Sequence, residues 1–105
     1  MDDLKDKMYK SSNSYIEKIL DRLKYMQGVS VLEDGIYTYL VSKDIKFALL
    51  LDNSFFVKKT KRSRNMIPYA KEYLINGEEY LEVLEYKNRI VVRELCEATL
   101  LDEMK

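Results

Sequence analysis

Apolar residues recur at the three- and four-residue spacing of a helix shortly after the start of the chain. They are Ile16, Ile19, Leu20, Leu23 and Met26. Charged residues fill the positions between them, as in a helix with one buried side. Ser14 and Glu17 have the spacing of a capping box, and Gly28 is a residue type that commonly ends a helix. The pattern therefore predicts a helix over Ser14–Gln27.

Aromatic-rich apolar runs, separated by short polar pairs, follow this helix. The predicted strand segments are Val29–Leu32, Ile36–Ser42, Ile45–Leu51 and Ser54–Lys59. The first two belong to one run, and the Asp34-Gly35 pair that interrupts it is either a hairpin tip or a bulge. Lys43-Asp44 and Asp52-Asn53 are candidate two-residue turns, since these residue types suit tight turns. The runs are therefore expected to form an antiparallel meander.

The run "FALLL" is expected to supply the centre of the core, because it reads as a strand that is buried on both faces. In a regular strand, Phe47, Leu49 and Leu51 lie on one face. We expect that face to pack under the predicted helix.

A second group of elements is expected after the meander. Ser63 or Asn65 can cap a short helix that contains Pro68 in its first turn, and an Asn-Gly turn follows at residues 76–77. The last predicted elements are a strand over Glu79–Tyr86, a turn at Lys87-Asn88, a strand over Arg89–Leu95 and a short helix over residues 97–105. These elements predict an α+β fold with two layers and a five-stranded, mainly antiparallel sheet. We expect residues 1–105 to form a single domain, with residues 1–13 either flexible or in a short helix.

Composition limits the chemistry that this chain can carry. The 105 residues include no histidine and one cysteine, Cys96, so neither an internal disulfide nor a Cys–His pair can be built. The usual zinc ligands are therefore missing, and we expect no metal and no cofactor. A single cysteine fits a reducing compartment, and neither a signal peptide nor a membrane-spanning run is evident. These features predict a cytoplasmic protein that does not bind membranes.

A cationic run, Lys58, Lys59, Lys61, Arg62 and Arg64, places five positive charges within seven residues. It can contact an acidic partner or a phosphate, or it can be a solvated strand end. The whole chain has 18 cations and 18 anions, so its formal charge is zero. That balance argues against general nucleic-acid binding, which depends on neutralising phosphates. We therefore expect contact with a specific protein partner, and only weak or indirect contact with nucleic acid.

Tyrosine is abundant, with nine residues in the chain. Tyr37 and Tyr39 share one face of their predicted strand, and Tyr80 and Tyr86 share one face of theirs. Tyrosine combines apolar area with a polar tip and is enriched at protein interfaces. These side chains are either a partner-binding sheet face or half-buried residues of the sheet.

Glu85 and Lys87 are similar to the E-x-K half of a metal-dependent nuclease site. In such a site the carboxylate binds Mg²⁺ and the lysine steadies the attacking water. A second carboxylate is needed from a neighbouring strand, and Glu72, in the predicted helix, is the residue that would have to serve. A nuclease is therefore the alternative from a different functional class.

Four short motifs lie along the middle of the chain: Gly35-Ile36-Tyr37, Phe47-Ala48-Leu49, Phe55-Phe56-Val57-Lys58 and Arg64-Asn65. With these motifs the segment of roughly Ser14–Val92 resembles the N-terminal domain of the TfoX competence-regulator family. It implies an α-β₃-α-β₂-α fold like that of secretion chaperones, and a binding protein without enzymatic activity.

The expected function is regulation by protein–protein contact, without catalysis. A small inhibitor of a host or defence protein that handles nucleic acid, encoded by a virus or mobile element, is an alternative within the same class. A homodimer is compatible with both readings.

Overall fold

A computed structural model describes residues 9–84 and 87–104 of the chain. Within these ranges the chain forms three helices and six strands. In chain order they are α1 (Asn13–Arg22), β1 (Ser30–Asp34), β2 (Tyr37–Ser42), β3 (Ile45–Leu51), β4 (Ser54–Lys58), α2 (Lys61–Met66), β5 (Glu72–Ile75), β6 (Glu78–Glu82) and α3 (Arg89–Glu103).

The strands form one antiparallel sheet in the order β1-β2-β3-β4-β6-β5. Three hairpins have two-residue turns in which both central residues have positive φ, the geometry of type I′ turns. These turns are Lys43-Asp44, Asp52-Asn53 and Asn76-Gly77. The predicted α+β class and the antiparallel sheet are confirmed. The sheet has six strands instead of the predicted five, in part because Gly35, with φ +61°, begins a turn that separates β1 from β2.

Helix α1 begins earlier and ends earlier than the sequence predicts. Its N-cap is Ser12, whose Oγ accepts a hydrogen bond from the Tyr15 amide at 3.2 Å, so the predicted cap at Ser14 is wrong. The Ser12 amide donates to Asn53 Oδ1 at 2.9 Å, so the β3–β4 turn fixes where the helix starts. After Arg22 the hydrogen bonds shorten to three-residue spacing, although the predicted core residue Leu23 is still buried.

The predicted strand over Arg89–Leu95 is wrong, because these residues form the first half of α3. Asn88 Oδ1 accepts hydrogen bonds from the amides of Ile90 and Val91 and starts the helix. The buried residues of α3 follow helical spacing and face the sheet. They are Val92, Leu95, Cys96, Thr99 and Leu100. The β-branched residues at the start of this segment have a propensity for strands. The Asn88 cap and the burial of one side of the helix outweigh that propensity.

The hairpin partner of β6 is β5, a segment that the sequence analysis predicts to be helical. The expected helix is short and ends at Met66; its N-cap is Thr60, not Ser63 or Asn65. Pro68 follows the helix and is not in its first turn, a usual position for proline after a C-cap.

Strand β3 contains a β-bulge, which changes the face of the sheet on which its side chains lie. Leu40 pairs with Ala48 and Val41 pairs with Lys46, so Phe47 is an extra residue. Phe47 therefore packs on the helix side with Ala48, whereas Leu49 and Leu51 lie on the opposite face. The prediction that all three of Phe47, Leu49 and Leu51 pack under α1 is wrong for Leu49 and Leu51, whereas Phe47 shares the helix-side core with the buried residues of α1 and α3.

The face of the sheet away from the helices has its own apolar cluster. Its buried residues are Tyr39, Leu49, Leu51, Phe56, Tyr73, Ile75 and Tyr80. Asn76 Nδ2, in the β5–β6 turn, donates to the hydroxyl of Tyr39 on β2 at 2.9 Å, although β3 and β4 lie between β2 and this hairpin in the sheet order. The β5–β6 hairpin therefore curls over this face, and the sheet supports two cores.

Candidate functional site

The cationic run lies at the end of β4 and in α2, where acidic residues of the same chain surround it. Lys58 Nζ lies 2.8 Å from Glu78 Oε2 and 3.2 Å from Glu103 Oε1. Partial burial opposes the charge of Lys58, but hydrogen bonds to Glu78 and Glu103 outweigh burial and raise its pKa. Lys59 Nζ lies 3.1 Å from Glu72 Oε1, and the hydrogen bond between them lowers the pKa of the Glu72 carboxyl. Both lysines therefore have internal partners.

The arginines of the run are also engaged. The Arg62 amide donates to Asp102 Oδ2 at 2.8 Å, and Arg62 Nε lies 3.5 Å from Asp102 Oδ1. The Arg64 guanidinium donates to the carbonyl of Ala70 at 2.9 Å and to the carbonyl of Pro68. Arg64 therefore holds the loop between α2 and β5 in place.

Lys61 differs from the rest of the run. It is exposed, and no carboxylate lies within 4.0 Å of its ammonium among the residues that the structure describes. The Arg62 side chain is also about half exposed, despite its contact with Asp102. Lys61 and the outer side of Arg62 are therefore the part of the run that is most accessible to a partner.

We predict different stability effects for the two ends of the run. Arg64→Ala removes charged donors from two carbonyls and should lower the free energy of unfolding by about 1–3 kcal/mol. Lys61→Ala, the matched control, should change it by less than about 0.5 kcal/mol, as is usual for an exposed site without partners. Urea unfolding followed by circular dichroism measures both. Equal effects would show that Arg64 does not brace the loop.

The tyrosines named from the sequence do not form one exposed sheet face. Tyr39 and Tyr80 are buried in the second core, and burial raises the pKa of the Tyr80 hydroxyl. Tyr37 is half-buried, and its ring centroid lies 6.1 Å from that of Tyr39. Tyr86 lies outside the described residues. The described strand tyrosines thus pack within the fold, with part of Tyr37 accessible.

The residues of the nuclease hypothesis are placed differently from the motif. Glu85 lies outside the described residues, and Lys87 is in the turn before α3, not on a strand. Glu72 lies on β5, paired with Lys59. Within residues 9–84 and 87–104, no group of three acidic, histidine or cysteine side chains is arranged to hold a metal ion. Cys96 is buried, and burial raises the pKa of its thiol, so the reactive thiolate is disfavoured.

An apolar surface that the sequence does not predict lies between the end of α2 and the end of β6. We call it the Tyr69 patch, and its residues are Met66, Ile67, Pro68, Tyr69, Ala70 and Leu84. They surround a cavity of about 210 Å³, with Glu82 as the polar residue of its lining. Tyr69 is 98% exposed and Leu84 is 72% exposed. Two large apolar side chains thus project into solvent beside a concave apolar surface.

A second exposed surface follows the outer side of α3. We call it the α3 stripe, and its exposed residues are Ile90, Glu94, Glu97, Leu101 and Met104, with the half-buried Arg93 at its edge. Tyr25, in the turn after α1, stands beside the stripe and lines two cavities, one of about 280 Å³ near Ile90 and one of about 430 Å³ near Leu101. The stripe follows helical spacing on the side of α3 opposite its core residues.

One sequence signal could have revealed the stripe. Asn88 followed by apolar residues at helical spacing is an N-cap signature, and reading it would have separated a buried face from an exposed one. The Tyr69 patch has no comparable signal, because it forms where a loop meets the end of a distant strand.

No family model, no curated protein and no solved structure matches this chain. The resemblance to the TfoX family accordingly stays a prediction. Across the described residues, no helix is both long enough and apolar enough to span a bilayer.

Proposed function

We propose that the protein is a non-enzymatic module that binds another protein and that the Tyr69 patch is its main contact surface. The observation that carries the proposal is Tyr69 itself, 98% exposed beside an apolar cavity of about 210 Å³. Tyrosine is enriched among residues that dominate binding energy at interfaces. A partner side chain that fills the cavity would remove Tyr69 and Leu84 from water together.

The accessible part of the cationic run supports the same surface and suggests the character of the partner. Lys61 and Arg62 begin α2, and Met66 ends it. A helix of this length spans about 9 Å, so cations and apolar patch are close enough for one partner to contact both. The partner should therefore present an apolar side chain next to carboxylates. The internal pairing of Lys58, Lys59 and Arg64 leaves them mainly a structural role in this proposal.

Substitution within the patch should abolish partner capture without disturbing the fold. Tyr69→Ser removes a fully exposed ring, so the free energy of unfolding should change by less than about 0.5 kcal/mol. Loss of a tyrosine at the centre of an interface typically weakens binding by about 2 kcal/mol or more, roughly thirtyfold in Kd. The tagged protein is used for capture from a lysate, and Kd for the captured protein is then measured with purified components.

Tyr25→Ser is the matched control, because Tyr25 is also an exposed tyrosine but lies beside α3. The proposal requires that wild type and the Tyr25 variant retain the partner and that the Tyr69 variant loses it. Equal capture by all three proteins would contradict it. Metal-dependent cleavage of DNA or RNA that Lys87→Ala abolishes would replace it with the nuclease hypothesis.

A further inference from the structure

Three arginines from two helices line one cavity, which we call the arginine pocket. It has a volume of about 280 Å³ and lies between the end of α1 and the first two turns of α3. Arg22 comes from α1, whereas Arg89 and Arg93 come from α3. Tyr25 and Ile90 supply the apolar walls. Grouping like charges in this way costs free energy unless anions compensate them.

Carboxylates of the same chain compensate the charge of the arginine pocket only in part. Asp21 Oδ2 lies 2.7 Å from Arg89 Nη2 and 3.3 Å from Arg22 Nη1, so one carboxylate serves two guanidinium groups. Glu97 Oε1 lies 3.6 Å from Arg93 Nε, which is too long for a hydrogen bond. Among the described residues, the three guanidinium groups therefore contact two carboxylates, and one positive charge is in excess.

Two of the guanidinium groups are partly removed from water without full compensation. The Nε–H groups of Arg22 and Arg93 are shielded from solvent, and neither has a hydrogen-bond acceptor among the described residues. The two side chains as a whole are 21% and 40% exposed. A charge attracts an anion more strongly when less water surrounds it. An anion that contacts these groups is therefore held more strongly than it would be at a fully exposed arginine.

The start of α3 adds to the positive character of the arginine pocket. Arg89 is the first residue of α3 and Arg93 lies one turn later, at the end of the helix where the dipole disfavours cations. The first turn of α3 has no acidic residue, and the exposed Glu94 is outside the lining of the cavity. Lys24 Nζ lies 5.2 Å from the centroid of the Tyr25 ring, so a further cation stands beside the pocket wall. These positions favour an anion as the ligand.

We propose that the arginine pocket binds a small phosphate monoester with an aromatic ester group. A planar carboxylate has two oxygens in one plane, and a single guanidinium matches both of them. A phosphate group has three terminal oxygens, so it accepts hydrogen bonds from guanidinium groups on different sides. The Tyr25 ring, which is 72% exposed, offers a face on which an aromatic group stacks, and Ile90 supplies a second apolar surface.

The size of the arginine pocket supports a small ligand. Its volume of about 280 Å³ is close to the lower end of the range of roughly 300–1,000 Å³ that is usual for small-molecule sites. A ligand of one ring and one phosphate group is therefore a suitable occupant. The pocket is separate from the Tyr69 patch, and its test does not depend on the proposed function.

Phenyl phosphate is the probe, and isothermal titration calorimetry of the full chain at low salt measures its Kd. For the wild type we expect a Kd below about 1 mM. Inorganic phosphate, which lacks the ring, should bind about fivefold more weakly, because stacking on an aromatic ring contributes to affinity. Benzoate, which has a carboxylate in place of the phosphate, should also bind about fivefold more weakly, because it offers fewer acceptors.

Substitutions in the pocket separate the contribution of the arginines from that of the ring. Arg22→Gln and Arg93→Gln should each raise the Kd for phenyl phosphate about tenfold or more, because each removes a charge-assisted hydrogen bond. Arg62→Gln is the matched control, because Arg62 is an arginine of similar exposure on α2, and it should leave the Kd unchanged. Tyr25→Ser should weaken binding of phenyl phosphate to the level of inorganic phosphate.

Circular dichroism verifies that each variant is folded, and several results would overturn the proposal. A wild-type Kd above about 1 mM would do so, as would an equal Kd for phenyl phosphate and inorganic phosphate. An effect of Arg62→Gln as large as that of Arg93→Gln would show general attraction by surface charge. Benzoate that binds as tightly as phenyl phosphate would contradict the assignment to phosphate. A phosphotyrosine peptide that binds more than about tenfold more tightly than phenyl phosphate would show that the pocket recognises a protein segment and not a small molecule.

Discussion

Leu49→Ala should lower the free energy of unfolding by about 2–5 kcal/mol, the usual cost of truncating a buried leucine. Leu49 is fully buried in the second core, on the face of the sheet away from the helices. It pairs directly across β3 and β4 with Phe56, which is also fully buried. The cavity left by the substitution therefore lies on the face of the sheet away from the helices, where a shift of a helix cannot fill it. Urea unfolding measured by circular dichroism gives the value, and a loss below about 0.5 kcal/mol would show that this face is not a core.

Double-mutant cycles show on which face of the sheet Leu49 packs. The effects of Leu49→Ala and Phe56→Leu on the free energy of unfolding should depart from additivity by about 0.5–3 kcal/mol, because these residues share one cluster. The effects of Leu49→Ala and Ile19→Val should add within about 0.5 kcal/mol, because Ile19 lies in the helix-side core. Coupling to Ile19 instead of Phe56 would place Leu49 under α1, as regular strand alternation predicts.

The N-terminal half of the fold could be predicted well because its signals are local. Paired turn residues, such as Asp52-Asn53, adopt positive φ in the structure, and the Ile45–Leu51 strand has the predicted limits. The Phe47 bulge could not be predicted, because an extra residue in a strand shows only when its partner strand is known. Two apolar residues in succession, Phe47 and Ala48, are equally compatible with a strand buried on both faces.

The C-terminal half was harder because local propensity and tertiary packing disagree there. Arg89–Leu95 is rich in β-branched residues, yet it forms a helix because one side of that helix completes the helix-side core. The candidate sites depend on the same competition between local propensity and tertiary packing. Ile90 and Leu101 form one stripe only if α3 is continuous. Lys59 of the cationic run is paired within the fold because Glu72 on β5 and Glu79 on β6 lie beside it.

Removing one residue from the bulge should be tolerated, whereas removing one residue from a regular strand should not. Deletion of Ala48 leaves Phe47 to pair with Leu40, and the residues on both sides keep their faces. Both side chains already lie on the helix side, so the change replaces a small residue by its neighbour. The expected loss is about 1–3 kcal/mol, the cost of overpacking a core site, with cooperative unfolding retained.

Deletion of Val57 is the matched control, because β4 pairs with both of its neighbours without a bulge. Without a bulge to absorb the change, the strand slips by one residue and its side chains exchange faces. That slip either moves Lys58 into the fully buried position of Val57 or moves Phe56 onto the other face. An unpaired charge in a core costs several kcal/mol, and a domain of this kind has only about 5–15 kcal/mol of stability in total. The Val57 deletion should therefore show no cooperative urea transition by circular dichroism, while the Ala48 deletion keeps one. If both deletions unfold the protein, or if neither does, the sheet does not tolerate the loss of a residue at the Phe47 bulge better than in a regular strand.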